Sequence, residues 1–159
     1  MAKEIQLTQG KVTIVDDEDY EYLNQFKWHA SKLSGKFYAR RYVKLSNPNI
    51  KILMHRDVMK PERVFVIDHV DGNTLNNQKN NLRICTHAEN MRNSKIAINN
   101  TSGFKGVYWN KQNAKWTALI RLNNKKIHIG NYIDIKDAAK AYNEAAIKFH
   151  GEFAKLNEI

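Results

Sequence analysis

The stretch VFVIDHVDGNTLNNQKNNLRICTHAEN, residues 64–90, decides how this chain is organised. Its β-branched and aromatic start, Val64 to Ile67, predicts a short strand that stops at Asp68-His69. The polar segment from Asp71 to Asn81 has no apolar periodicity, so it predicts a loop whose asparagines hydrogen-bond their own backbone. Leu82 to Cys85 then predicts a second short strand.

A helix is expected directly after the second strand. Thr86 and Glu89 have the spacing of a capping box, in which two side chains satisfy free backbone N–H groups at a helix start. The helix should therefore begin at His87, with Asn90 in its first turn. The whole element reads strand, polar loop, strand and helix.

Three polar side chains of this element have the chemistry that hydrolysis of a phosphodiester needs. Asp68 and His69 are adjacent in a strand, so their side chains point to opposite faces, and one can bind a metal ion while the other faces an attacking water. A histidine supplies the base for that water. A divalent cation held by Asp68 and the amide oxygen of Asn90 supplies positive charge for the phosphoryl oxygens and the leaving oxyanion.

The stretch resembles the HNH nucleases, the ββα-metal group, and in particular the phage homing-endonuclease branch. Asn81 follows His69 by twelve residues and precedes Asn90 by nine, as in the motif of that group. The segments that carry the resemblance are residues 66–73, Asn80 to Arg83, Thr86, Glu89-Asn90 and, upstream, His55-Arg56.

The resemblance implies a role for each motif residue. His69 is the general base, and Asp68 and Asn90 are the ligands of the metal ion. Asn81 braces the loop that aims His69. The last position of the motif is Asn90 where other members have histidine, which favours one Mg²⁺ or Mn²⁺ ion per active site over a transition metal.

Other interpretations of the same residues stay open. The loop can be an asparagine-rich connection in which His69 is only a capping residue. A zinc site of His69, Cys85 and His87 lacks an evident fourth ligand, and Cys85 is otherwise a core residue of its strand. His55 packs or hydrogen-bonds near a helix start and is given no catalytic role.

The composition is that of a folded basic protein. The chain has 159 residues, enough for one domain or two small ones, and a formal net charge of +10. Residues 1–98 hold 16 basic and 11 acidic side chains and residues 99–159 hold 10 and 5, so two surfaces are expected to face phosphates.

A single cysteine excludes an internal disulfide. With no signal peptide and no apolar run of roughly 18 residues, we expect a cytoplasmic protein, phage-encoded or bacterial, without membrane contact.

The last third of the chain predicts three strands followed by one helix. The strands are expected at Phe104–Trp109, Lys115–Leu122 and Lys125–Tyr132. Apolar residues then recur three and four positions apart from Ile135 to Phe149, as on one face of a helix, and Gly151 is the expected stop. A basic three-stranded sheet of this kind can enter the major groove of DNA.

This region resembles the Apetala-type DNA-binding domain of plant ethylene-response factors, and it is similar to the DNA-binding appendage of many phage HNH homing nucleases. The matching segments are Ser102 to Val107, Lys115 to Arg121, Ile129 to Tyr132 and Ala138 to Ala146. The resemblance implies that DNA contacts fall on basic and aromatic side chains, namely Lys105, Tyr108, Trp109, Lys111, Arg121, Lys126 and His128. The plant pattern is richer in arginine, so base readout should be looser here and phosphate contacts relatively more important.

A hairpin is expected nearer the N-terminus, between Trp28 and Leu45. Its second arm carries Arg40 and Arg41 among aromatic residues. That arm either lies on a nucleic-acid backbone or has one buried aromatic face and one solvated basic face. Upstream, the acidic run from Asp16 to Asp19 predicts a helix start rather than a metal site.

The sequence therefore predicts an α+β protein of two domains. Residues 1–95 form a ββα-metal (HNH) nuclease domain with its motif core at 64–95, residues 96–103 are a linker, and residues 104–159 are a small three-stranded antiparallel sheet packed on one helix. The expected function is a site-directed, metal-dependent endonuclease of homing type that acts on double-stranded DNA as a monomer, with a dimer as the alternative. The rival functions are a non-catalytic DNA-binding regulator on a nuclease-derived fold and an RNA- or protein-binding module.

Overall fold

The computed structural model describes residues 1–43, 50–94, 96, 99–123 and 125–159. The end of the predicted hairpin at Leu45 and part of the predicted linker lie outside these residues. The chain is mixed α and β with small antiparallel sheets, as expected. It divides into two compact units, Met1–His87 and Ala88–Ile159, and each is described by itself. The functional domain boundaries drawn from the sequence stay predictions.

The first unit is built from short strands and two short helices. Its strands pair as the hairpin β1-β2, the three-stranded sheet β3-β4-β5 and the hairpin β6-β7, all antiparallel. The elements in chain order are β1 (Ala2–Gln6), β2 (Val12–Asp16), α1 (Asp17–Leu23), β3 (His29–Leu33), β4 (Lys36–Val43), β5 (Ile50–Leu53), α2 (Met54–Met59), β6 (Val66–His69) and β7 (Leu82–Cys85).

The apolar core of this unit forms around Trp28. Leu23 and Met54 are fully buried beside it, together with Val15 from β2. The indole N–H of Trp28 donates to the backbone carbonyl of Leu23 at 2.8 Å, so the polar end of the ring is satisfied inside the core. The core thereby ties the N-terminal hairpin to the three-stranded sheet and to α2.

Helix α3 (His87–Arg92) begins where the capping-box spacing predicts, at the last residue of the first unit. The second unit continues with β8 (Val107–Asn110), β9 (Lys115–Leu122), β10 (Lys125–Tyr132) and α4 (Ile135–His150). Asp134 caps α4 by accepting from the backbone N–H of Lys136 at 2.6 Å. In the described part of the chain, no helix is long and apolar enough to cross a membrane.

The strands of the second unit form one antiparallel sheet in the order β10-β9-β8, and α4 packs on one of its faces. Ala118 and Ile120 on β9 are buried against Ala138, Ala139 and other residues of the helix. The small alanine side chains let the helix approach the sheet closely. The bounds of β9 and β10 are those expected from the sequence.

The predicted start of the first of these strands is wrong. The sequence places it at Phe104, whereas β8 begins at Val107. Gly103 and Gly106 have φ values of +76° and +74°, in the left-handed region that does not continue a strand. Gly106 is also covered, because a Cβ atom there would lie 2.1 Å from Cδ2 of Tyr142 and 2.6 Å from the carbonyl oxygen of Leu119.

Gly106→Ala is therefore expected to destabilise the second unit strongly. Gly103→Ala is the matched control, since its φ is similar and a Cβ there meets no other atom of the described residues within 4 Å. The control should cost about 1–2 kcal/mol from the backbone conformation, and Gly106→Ala a further ~1–3 kcal/mol from overpacking. Urea unfolding followed by the amide resonances of β9 measures both. Equal losses would contradict the close packing of Tyr142 on Gly106.

Candidate active site and nucleic-acid interface

His69 lies at the end of β6 and is 5% exposed. Its ring is in edge-to-face contact with Tyr38 from β4 and with His55 from α2, with centroids 6.2 Å and 5.1 Å away. The aromatic contacts hold the imidazole plane from two sides. Strand β6, the three-stranded sheet and α2 therefore meet at this ring.

Burial favours the neutral form of both histidines of this cluster. Burial lowers the pKa of His69, although Asn77 and two nearby aspartates act in the opposite direction. Burial also lowers the pKa of His55 to about 3, with further contributions from His69 and Arg56. A neutral imidazole has a lone pair that can accept a proton, which is what a general base requires.

Asn81 ties together both ends of the polar loop that follows His69. We call residues Asp71 to Asn81 the asparagine loop. The Asn81 side chain accepts from the backbone N–H of Asp71 at 3.0 Å and donates to the carbonyl of Asn76 at 2.9 Å. Its own carbonyl accepts from the N–H of Val70 at 2.9 Å. Asn81 thus connects the start, the middle and the end of the loop, and the bracing role that the resemblance implies for it stays a prediction.

The N-terminal hairpin, β1-β2, is hydrogen-bonded to the middle of the asparagine loop. The backbone N–H of Ile14 donates to Leu75 at 2.9 Å, and the carbonyl of Ile14 accepts from the N–H of Asn77 at 2.7 Å. The loop thus adds a short parallel bridge to β2. Thr13, fully buried on the same strand, donates its hydroxyl to the carbonyl of Leu75 at 2.7 Å.

The role expected for Asp16 is only half right. It is the residue before α1, but its side chain makes no capping hydrogen bond to that helix. Its carboxylate instead accepts from the backbone N–H of Lys79 at 2.7 Å and from the amide of Gln78 at 3.1 Å. The acidic run therefore fastens the asparagine loop as well as starting a helix.

Sequence reasoning missed Thr13 and Asn77, which are 0% and 1% exposed. The sequence carried only a weak signal that these two residues are buried. Thr13 shares a face of β2 with Val15, so a polar residue occupies a position that the alternation marks as buried. A polar side chain in such a position needs a hydrogen-bond partner, but the pattern does not say which one.

Asp68 lies beside His69 and is also buried, at 5% exposure. Its Oδ2 atom accepts from Nε and Nη2 of Arg83, at 2.9 Å and 2.6 Å, and Arg83 is its direct partner across the β6-β7 hairpin. The ion pair stabilises a carboxylate in a buried position. Asn90, the other predicted ligand, is half-buried on α3 and belongs to the second unit.

The predicted metal ligands have the donor chemistry of a hard cation. One carboxylate and one amide oxygen leave most coordination positions to water and phosphate oxygens, as Mg²⁺ and Mn²⁺ accept. Within the described residues, no group of three or more His, Cys, Asp or Glu side chains is arranged to hold a metal ion. The zinc alternative built on His69, Cys85 and His87 thus has no such cluster there.

The two arginines of β4 differ in their surroundings. Arg41 forms an ion pair with Asp57 at 3.0 Å, is 13% exposed, and lies over the ring of Phe26 at 3.9 Å. This guanidinium is used within the fold, so its predicted DNA contact is not carried further. Arg40 donates to the hydroxyl of Tyr42 at 2.7 Å at the surface, where its DNA contact stays a prediction.

The outer face of the C-terminal sheet, the face away from α4, is basic. Arg121 and Lys126 are direct partners across β9 and β10, and both are exposed. Side-chain alternation puts His128 and Tyr108 on the same face, because their partners Leu119 and Thr117 alternate with the buried Ala118. Lys111 is exposed in the turn between β8 and β9.

Two predicted DNA contacts do not belong to this outer face. The Nζ atom of Lys105 donates to the carbonyls of Arg92 and Ser94, and burial lowers its pKa to about 8. Trp109 lies on the helix side of the sheet, where its ring meets that of Trp116 with centroids 5.1 Å apart. Lys105 thus has a role inside the second unit that the local sequence pattern does not reveal, whereas Trp109 is 44% exposed and its DNA contact stays a prediction.

Comparison with known proteins identifies the family. The HNH endonuclease family model matches residues 61–92. Protein 3.8 of Escherichia phage T7 is 34% identical over 92 residues, which cover 58% of this chain and 75% of that protein. An HNH endonuclease of Acanthamoeba polyphaga mimivirus, named as uncharacterized, is 28% identical over 158 residues, or 95% of this chain and 77% of that protein. The chain belongs to the HNH endonuclease family.

A partial likeness involves a plant protein. An AP2/ERF and B3 domain-containing transcription factor of Arabidopsis thaliana is 40% identical over 55 residues, which cover 35% of this chain and 15% of that protein. It hints at a C-terminal domain of AP2/ERF type. Family membership supports a nuclease, and a nuclease would act on DNA.

The buried imidazole of His55 predicts that stability falls as the pH falls below neutrality. Its pKa is about 3 in the folded protein against 6.5 as a model value. The unfolded chain therefore binds a proton that the folded chain does not bind between these values, which lowers the free energy of unfolding by up to about 1.4 kcal/mol per pH unit.

Urea unfolding between pH 7 and pH 4.5 and an NMR titration of the His55 ring measure this effect. His55 should stay neutral throughout, and His55→Gln should reduce the pH dependence of stability. Protonation of His55 above pH 6 in the folded protein would contradict its burial.

Proposed function

We propose that the protein is a site-directed DNA endonuclease of homing type that hydrolyses phosphodiesters with His69 as general base and one Mg²⁺ or Mn²⁺ ion. The observation that carries the proposal is a buried, neutral His69 next to Asp68 in a chain of the HNH endonuclease family. The phage relative supports the bacterial cytoplasm as the place where this protein acts, because the DNA substrate is found there.

Different side chains of this protein contribute to different parts of the hydrolysis. The lone pair of His69 takes the proton of the attacking water, while Tyr38 and His55 fix the plane of its ring. Asn81 keeps the asparagine loop closed behind it. Asp68 and Asn90 would hold the metal ion, and Arg83 orients the Asp68 carboxylate through Oδ2. When bound, the ion supplies positive charge for the phosphoryl oxygens and the leaving oxygen.

The outer face of the C-terminal sheet is proposed to select the DNA. Three observations support this role: its exposed basic side chains, the partial likeness to an AP2/ERF protein, and the absence of any acidic residue between Glu89 and Asp134 in the sequence. A face without carboxylates does not repel phosphates. Arg121 can reach the O6 and N7 atoms of a guanine with its fork, and Lys126 beside it suits a phosphate.

His69→Ala is expected to reduce DNA cleavage by ~10²–10⁴-fold while DNA affinity stays within a few-fold, because a general base acts on the reaction and not on binding. A plasmid-nicking assay with Mg²⁺, paired with a gel-shift titration, measures both quantities. EDTA should abolish nicking, and added Mg²⁺ or Mn²⁺ should restore it.

His87→Ala is the matched control, since His87 is an exposed histidine near the same motif. It should cleave like the unmodified protein, and a large loss would favour a zinc site instead. DNA binding by the unmodified protein without any nicking would favour the non-catalytic regulator. Unreduced cleavage by His69→Ala would contradict the proposed base.

Arg121→Ala is expected to weaken binding to a preferred DNA site by ~1–3 kcal/mol and to leave binding to random DNA nearly unchanged. Lys140→Ala removes an exposed cation from α4, on the opposite side of the sheet, and should have little effect on either. Binding isotherms at several salt concentrations separate the two kinds of contact, because each lost phosphate contact lowers the salt slope by about 0.9. Equal losses for the two variants would remove the outer face as the DNA-reading surface.

A further inference from the structure

Thr13 and Asn77 form a fully buried polar pair behind the candidate base. The hydroxyl of Thr13 donates to the carbonyl of Leu75 at 2.7 Å, so its oxygen is left to accept. The side-chain amide nitrogen of Asn77 donates to that oxygen at 2.7 Å. Thr13 and Asn77 are 64 positions apart in the chain, and the contact joins the N-terminal hairpin to the asparagine loop.

This contact fixes which way the Asn77 amide faces. With its NH₂ group on Thr13, the carbonyl oxygen Oδ1 faces His69, 3.5 Å from Nε2. The oxygen can only accept a hydrogen bond, so this geometry favours the tautomer with the proton on Nε2. A neutral imidazole has one N–H, and with that proton on Nε2 the lone pair is on Nδ1.

We propose that Thr13 and Asn77 are positioning residues that hold His69 in the Nε2–H tautomer, so that Nδ1 is the atom that takes the proton of the attacking water. The inference rests on the proposed function for its catalytic meaning. Neither residue touches the reacting atoms. Thr13 acts on Asn77 and Asn77 acts on His69, and the N-terminal hairpin thereby becomes part of the nuclease mechanism.

The backbone contacts make a specific test available. The loop is joined to β2 by main-chain bonds from Ile14 to Leu75 and Asn77, which do not depend on the Thr13 hydroxyl. Thr13→Val keeps the shape of the side chain but replaces the hydroxyl with a methyl group, and Thr13→Ser keeps the hydroxyl and loses the methyl group. The first variant frees the Asn77 amide to turn over, whereas the second does not.

Two measurements decide the proposal. Two-bond ¹H–¹⁵N correlation spectra of histidine-labelled protein, assigned with His69→Gln, report the tautomer of His69 in the unmodified protein and in Thr13→Val. Single-turnover nicking at a range of DNA concentrations separates the rate constant from the apparent affinity. Urea unfolding shows whether each variant is folded under the assay conditions.

The expected result is an Nε2–H tautomer in the unmodified protein and a mixture of tautomers in Thr13→Val. The variant should nick DNA about 10- to 100-fold more slowly at unchanged apparent affinity, and Thr13→Ser should restore the rate. An Nδ1–H tautomer in the unmodified protein, or an unchanged tautomer and rate in Thr13→Val, would overturn the proposal. The spectra need no cleavage, so if the protein does not nick DNA the proposed function fails while they still decide the role of the pair.

Discussion

Asparagine side chains such as Asn77 and Asn81 can be buried only if their polar groups find hydrogen-bond partners, and the first unit is arranged around that constraint. Burying one unsatisfied amide costs about 1–3 kcal/mol, so several would offset the stability of a small domain. The Asn81 side chain bonds the start and the middle of the loop from within, while β2 and Asp16 bond its middle and its last part from outside. The loop is therefore an ordered part of the fold although it has almost no apolar residues.

This polar framework determines where the candidate base lies. His69 ends the strand that leads into the loop, and its ring is held between Tyr38, His55 and Asn77. Each of these residues comes from a different segment of the first unit. The three-stranded sheet and α2, which lie outside the residues matched by the HNH family model, thus contact the base directly, and the N-terminal hairpin acts on it through Asn77.

The sequence predicted the elements whose pattern is local. The strand bounds of β9 and β10 follow from alternation, and the helix start at His87 follows from the capping-box spacing. The sequence did not predict contacts between residues that are distant in the chain, such as the contact of Thr13 with Asn77. Charge likewise marked Arg41 as a surface residue, but its ion pair with Asp57 can be seen only in three dimensions.

The most direct test of the central claim is amide hydrogen exchange in the asparagine loop. The N–H groups of Asp71 and Asn77 are bonded to the Asn81 side chain and to the carbonyl of Ile14, at 3.0 Å and 2.7 Å. If the loop is an ordered part of the fold, these amides exchange as slowly as those of the β6-β7 hairpin. Exchange at the rate of an unstructured peptide, while β6 stays protected, would contradict a preformed site at His69.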